Sequence, residues 1–108
     1  MLAKENRADK GDIDFLFKKG NSISSPNLNF KFILTTDAIL PRISFIAPKN
    51  VAKLAVKRNL LRRRGYNTLR KHINDFPLGL IGVFLFKKYQ DDVSIIENEI
   101  KNILNKIN

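Results

Sequence analysis

The run Lys57-Arg58-Asn59-Leu60-Leu61-Arg62-Arg63-Arg64 places five cations within eight residues. A guanidinium group is a planar fork of donors that matches phosphate oxygens. A carboxamide between two such groups both donates and accepts, toward a base edge or a 2′-OH. The chemistry open to this run is binding of a polyanion, not bond cleavage. It sits inside a longer block, Ala38 to Asn74, that holds no Asp or Glu and ten cations: Arg42, Lys49, Lys53, Lys57, Arg58, Arg62, Arg63, Arg64, Arg70 and Lys71. The rest of the chain carries ten cations and ten anions, so the formal charge of +10 is a local object. Like charges repel and give a fold no stability, so the block points to a polyanionic partner. A merely solvated helix face is the bland alternative. It is weakened because the block contains no acid to form i, i+4 pairs.

Nothing else in the chain resembles reaction chemistry. There is no cysteine, which excludes disulfides and thiolate metal sites and fits a reducing interior. The single histidine, His72, ends the basic segment without a carboxylate or nucleophile beside it in sequence, and is expected at a surface or boundary. Asp12 with Asp14, and Asp91 with Asp92, are close carboxylates, but both pairs stand where helices begin, so capping explains them better than metal binding. No Gly-rich phosphate loop and no H-E-x-x-H is present. The N-terminus has no apolar signal core. The longest apolar run, Leu78 to Phe86, is nine residues, against about 20 for a membrane span. A soluble, cytoplasmic protein is expected, with no membrane partner and no small-molecule substrate. A single domain over residues 1–108 is expected, with residues 1–8 loosely structured.

The elements that must position the basic run follow from periodicity. Asp9 or Asp12 caps a first helix whose apolar face is Ile13, Leu16 and Phe17, and Gly20 stops it. Ser22 to Ser24 and Leu28 to Leu34 read as strands. In the second, Leu28, Phe30 and Phe32 share one face, and Asn29, Lys31 and Ile33 the other. Arg42 to Ala47 is a third strand. A long helix is expected from Val51 to Ile73, with Val51, Leu54, Ala55, Tyr66, Leu69 and Ile73 as its stripe and Gly65 as a weak point or kink. Arg58 and Arg62 fall on that stripe, where unpaired burial would be costly, so this stretch is expected to face a groove or an anion. Leu78 to Phe86 suits a strand buried on both faces. Asp91 or Asp92 caps a last helix with the stripe Val93, Ile96, Ile100, Ile103, Leu104 and Ile107. The fold class expected is α+β, an α/β sandwich of order α-β-β-β-α-β-α.

Lys49-Asn50-Val51-Ala52-Lys53-Leu54-Ala55-Val56-Lys57-Arg58-Asn59, followed by Arg62-Arg63, resembles the signature of the bacterial ribonuclease P protein subunit, a K-x-V…A-V-x-R-N-R-x-K-R pattern on a long helix. Phe17-Lys18-Lys19-Gly20 with Ser22 is similar to that family's V-F-K-x-G-x-S segment, Arg42-Ile43-Ser44-Phe45 to its R-x-G strand, and Asn6-Arg7 to its N-terminal N-R. Leu60 stands where the family has its second Arg, and Arg62 where it has Lys. Arg64-Gly65-Tyr66 also departs from its continuation. The resemblance implies a four-stranded sheet with a left-handed β-α-β crossover, like domain 2 of ribosomal protein S5.

It also implies a role without catalysis by the protein. In this family the RNA subunit hydrolyses the 5′ leader from precursor tRNA, with Mg²⁺ bound mainly by RNA. The protein, one copy per RNA, binds both RNAs. By this likeness the catalytic RNA would meet Lys49, Lys53, Lys57, Arg58, Asn59, Arg62, Arg63 and Arg64. The leader cleft would be lined by Ile13, Phe17, Lys31, Asn59 and Arg63. Ile13 and Lys31 replace family aromatics, so Lys31 would supply charge where the family supplies stacking. Phe30 and Phe32 alternate with polar residues and are expected in the core, while Phe17 fits core or cleft. A non-catalytic ribosomal or rRNA-binding protein, sharing size and charge, is the alternative. A nuclease acting without RNA is disfavoured by the acid-free block.

Overall fold

The computed structural model describes residues 6–36 and 39–107. Its elements are α1 (Lys10–Lys19), β1 (Asn21–Ser24), β2 (Leu28–Leu34), β3 (Arg42–Ile46), α2 (Ala55–Leu69), β4 (Leu80–Phe86) and α3 (Val93–Ile107), with a 3₁₀ turn at Ile73–Asp75. The order is the one expected from periodicity. The sheet runs β1-β2-β4-β3. β2 is antiparallel to β1 and β4, and β3 is parallel to β4.

Register sorts the side chains into two faces. Phe30, Phe84 and Phe45 lie in one row across the sheet. Their rings stack at 4.2 Å and 5.0 Å between centroids. Leu28, Ile43, Leu80 and Phe86 extend this face, and α2 and α3 close it through Leu61, Leu69, Ile96, Ile100, Ile103 and Leu104. β4 occupies the centre and is buried on both faces, as its continuous apolar run requires. α1 covers the opposite face, where Leu16 packs with Ile81 and Val83.

The β3-α2-β4 connection is left-handed. Thr35 N–H donates to the Gly79 carbonyl and Lys87 N–H to the Asn27 carbonyl, at the two ends of the β2–β4 ladder. That phase turns the amides of Ile81, Val83 and Leu85 to β2 and those of Gly82 and Phe84 to β3. Phe84 is an L-residue whose ring points toward α2. With the strands drawn upward and α2 in front, β3 must then lie to the right of β4. The chain therefore steps leftward through the helix, against a rule obeyed by about 98% of such crossovers.

Several local expectations are corrected. α2 begins at Ala55, not Val51, because Pro48 to Leu54 forms turns. Its buried residues are Leu61, Gly65, Thr68 and Leu69. Leu54 is 62% exposed and Val51 lies outside the helix, so the predicted stripe is out of phase. Gly65 is no kink. A Cβ there would stand 2.6 Å from the Phe45 ring, so glycine is what lets the helix lie on the aromatic row. Phe17 and Val93 are exposed rather than part of their helices' buried faces. Residues 6–8 are anchored: Asn6 Nδ2 donates to the Pro41 carbonyl, and Ser44 Oγ to that of buried Ala8. The first five residues of that loosely structured stretch lie outside the described residues. Capping expectations held. Asp9 and Asp12 form a reciprocal capping box, and Asp92 Oδ1 accepts from Ser94 N–H at the start of α3. Asp9 Oδ1 accepting from the Asp12 amide, with Arg42 close by, holds the Asp9 carboxyl below its ordinary value.

Candidate nucleic-acid interface

The first half of α2 projects the basic run away from the core. No side chain caps this helix, and its first turn contains no acid. Its positive dipole end therefore adds to the cations instead of being neutralised. Within the run, each cation meets a different environment. Arg58 is half-buried, and its Nη1 donates to the carbonyls of Ala52 at 3.0 Å and Lys53 at 2.8 Å. It latches the turn that leads into the helix, which answers how a guanidinium on the inner side is satisfied. Arg64 turns toward α3, where its Nη1 meets Asp91 Oδ1 at 3.0 Å. Lys57 Nζ lies 5.9 Å from the Tyr89 ring. Lys49 and Lys53 are exposed before the helix. Arg62 and Arg63 are exposed, and Arg62 donates to Asn59 Oδ1.

Arg7, which follows the anchored Asn6, joins this group. It lines a cavity of about 550 Å³ together with Asn59, Arg62, Arg63, Tyr66 and Asn67. The N-R dipeptide in the sequence was the one signal for Arg7. Leu60 and Val56 border a shallower hollow with Asn59 and Arg63.

The groove face of the sheet is only partly covered. α1 closes the rows of Ile33, Ile81 and Val83. Arg42 is tied to Asp12 at 3.0 Å on this side. The next row, Asn29, Leu85 and Ile46, stays half-buried. Asn29 Oδ1 in that row is buried and accepts no hydrogen bond. Beyond Ile46 lie Arg58, Asn59 and Arg62 around a smaller hollow of about 300 Å³. At the α1 border Phe17 is 47% exposed, with Lys31 Nζ 5.8 Å above its ring. Lys31 also donates to Ser22 Oγ at 3.3 Å. Ile13 is half-buried and packs into the cluster under α1. Of the five cleft residues expected, Phe17 and Lys31 meet at one border. Asn59 and Arg63 meet at the other, and Ile13 contributes mostly to packing.

His72 does have a carboxylate partner, though one distant in sequence. Its Nε2 lies 2.7 Å from Glu97 Oε2 and its Nδ1 4.0 Å from Asp75 Oδ2. The bond from His72 holds the Glu97 carboxyl below its ordinary value. It joins the end of α2 to α3 on the far side from the groove. Among the described residues no group of three or more His, Asp or Glu side chains could hold a metal ion, and no helix is long and apolar enough to cross a membrane.

A family model described as Ribonuclease P matches residues 2–108. The chain belongs to the ribonuclease P protein family. Solved structures agree in fold. A Staphylococcus aureus RNase P protein mutant with defective mRNA degradation activity aligns with a TM-score of 0.82 and 19% identity, covering 96% of this chain and 89% of that one. The RNase P protein from Thermotoga maritima aligns with a TM-score of 0.81 and 20% identity, over 94% of this chain and 97% of that one. No curated protein sequence matched. Membership of the ribonuclease P family supports that reading over the ribosomal alternative, and with it a role in tRNA processing and RNA binding.

Proposed function

We propose that this chain is the protein subunit of a ribonuclease P holoenzyme that removes the 5′ leader from precursor tRNA, with the chemistry carried by the RNA subunit. The exposed cations of Lys49, Lys53, Lys57, Arg62 and Arg63, with Asn59, would contact that RNA. Arg58 would hold the approach to α2 while its remaining N–H groups face the groove. Arg64, spent on Asp91, stands at the margin of this set. The leader would lie along the half-buried row Asn29, Leu85 and Ile46, between Phe17 with Lys31 and Asn59 with Arg63. Mg²⁺ would be held mainly by RNA phosphates. One protein would serve one RNA, in the cytoplasm.

The observation that carries this reading is the family match over residues 2–108 joined to an α2 whose first turn holds no acid and whose Lys57, Arg62 and Arg63 are exposed. The protein's contribution is electrostatic. Cations placed between two RNAs lower their mutual repulsion, so less Mg²⁺ is needed to bring them together. The test is reconstitution with a bacterial ribonuclease P RNA. At low Mg²⁺ the protein should raise precursor-tRNA affinity and cleavage. A protein that does neither, at any Mg²⁺ concentration, is not this subunit.

A further inference from the structure

Glu99 breaks the pattern of α3. It stands among Ile96, Ile100 and Ile103 on the buried side of the helix and is only 6% exposed. Among the described residues no Lys, Arg or His lies within ion-pair distance of its carboxylate. Burying a lone charge is unfavourable, and an apolar residue would suit this place better if packing were all it served. Breaks of this kind in a local pattern are expected where a fold supports function.

Three donors from one turn compensate that carboxylate. Asn27 N–H donates to Glu99 Oε1 at 2.8 Å, Asn27 Nδ2 to Oε2 at 2.6 Å, and Ser25 Oγ to Oε1. An ionised carboxylate only accepts, so the turn cannot move off it without stranding a buried charge. Ser25 N–H donates to the Leu28 carbonyl at 2.8 Å, which closes the turn between β1 and β2. Lys87, at the end of β4, holds the same turn from another side. Its Nζ donates to Ser24 Oγ at 2.8 Å and to the Ser25 carbonyl at 2.9 Å, and its N–H to the Asn27 carbonyl. The first strand pair beyond the turn is Ser24 with Asn29, and Asn29 begins the row that continues through Leu85 and Ile46. That row is the half-buried strip of sheet that α1 leaves open. In a hairpin the turn sets the register, and a slip of one residue moves every side chain to the other face. From the helix side of the sheet, Glu99 thus fixes which residue faces the groove on the opposite side.

We infer that Glu99 is a positioning residue for the open groove: by pinning the β1–β2 turn it holds Asn29, whose buried Oδ1 has no partner, at the head of the row along which the leader would lie. The inference deepens the proposed function and rests on its placement of the leader.

The test uses holoenzyme reconstituted with a bacterial ribonuclease P RNA. Affinity is measured for precursor tRNA carrying its leader, for mature tRNA lacking it, and between the protein and the ribonuclease P RNA alone. Glu99→Ala should weaken precursor binding about tenfold, the worth of one hydrogen bond in the row. Mature tRNA and the ribonuclease P RNA should bind it as they bind wild type. Ser25→Ala, which removes one of the three donors, should weaken precursor binding about threefold. Asn27→Asp alone sets two carboxylates against each other and should lose as much as Glu99→Ala. Joined to Glu99→Gln, which returns a single carboxylate and the same bonds to the pair, it should recover wild-type binding. Lys101→Ala, exposed on the same helix, is the control. Circular dichroism identifies any variant that fails to fold, and Ser25→Ala with the exchanged pair then carries the decision. A folded Glu99→Ala or Ser25→Ala protein that keeps the full preference for precursor over mature tRNA overturns the positioning role alone. So does a loss that falls equally on mature tRNA and on the ribonuclease P RNA, because a merely structural residue would give that. Wild-type holoenzyme with no preference for precursor overturns the placement of the leader, and this role with it.

Discussion

The two halves of α2 share one helix and little else. The second half puts Leu61, Gly65, Thr68 and Leu69 against the sheet and α3, close enough that Gly65 touches the Phe45 ring. The first half leaves Ala55, Val56, Lys57 and Asn59 exposed, and has neither a side-chain cap nor an acid. In the second half, hydrophobic burial holds the helix. The first half gains almost none of that and extends the helix into solvent under its own charge. A segment that folding alone would not favour is maintained by its neighbour, which is how a binding surface is usually supported.

Substitutions can separate the halves. Gly65→Val drives two methyl groups into the Phe45 ring and should cost about 3 kcal/mol or more, near the top of the overpacking range. In thermal unfolding that is a drop of more than about 12 °C, at about 4–8 °C per kcal/mol for a domain this size. A Gly65→Val protein melting like wild type would mean α2 does not rest on Phe45. The Arg62→Ala/Arg63→Ala pair should do the reverse. Thermal stability should hold or rise slightly at low salt, as repulsion is relieved. The salt slope of RNA binding should fall by about 1.5–2 units for two lost phosphate contacts; an unchanged slope takes both arginines out of the interface.

Arg58→Ala falls between these effects. It frees the Ala52 and Lys53 carbonyls and should lower stability by about 1–2 kcal/mol, read by denaturant titration. Its change in salt slope should be under about 1 unit. A full unit or more with no loss of stability would make Arg58 an ordinary phosphate ligand. The smallest effect is on acidification. The Asp9 carboxyl sits below its ordinary 3.8 in the folded protein, so the stability it lends is complete above that value. It is lost as pH falls through the lowered folded value. Asp9→Asn should flatten this acid-side loss and leave the neutral-pH salt slope of RNA binding untouched. Wild type and Asp9→Asn losing stability in parallel below pH 4 would remove the capping box from the account.

Much of this division is legible in the sequence, because it rests on local pattern. The alternation of Phe30 and Phe32 with Asn29 and Lys31 assigned β2's faces, and the unbroken run ending at Phe86 marked the central strand. The acid-free block gave the interface its sign. What sequence reasoning missed depends on approach in three dimensions. The α2 stripe was drawn from Val51 although the helix starts at Ala55, and four residues of turn destroy the phase. Gly65 carries no sign of the ring above it. Arg64 and Asp91, like His72 and Glu97, are too far apart in sequence for an i, i+4 rule to pair them. Nothing in the sequence marks Glu99 as buried. It is buried, and Asn27 N–H and Nδ2 with Ser25 Oγ satisfy its carboxylate. The recruitment of Arg7 to the cavity follows from two anchors on the preceding and following residues, neither of which has a periodic signature.

The bond from Phe45 N–H to the Tyr66 hydroxyl has a consequence for how the protein behaves in company. β3 is the outermost strand on its side, and its outward amides are a template on which another chain's strand can align. Because the crossover carries α2 back over that border, a side chain from the helix occupies an amide midway along it. One outward amide of this edge is thereby guarded by a phenol, so an aligning strand would lack that bond. Tyr66→Phe would keep the ring packing and remove the guard.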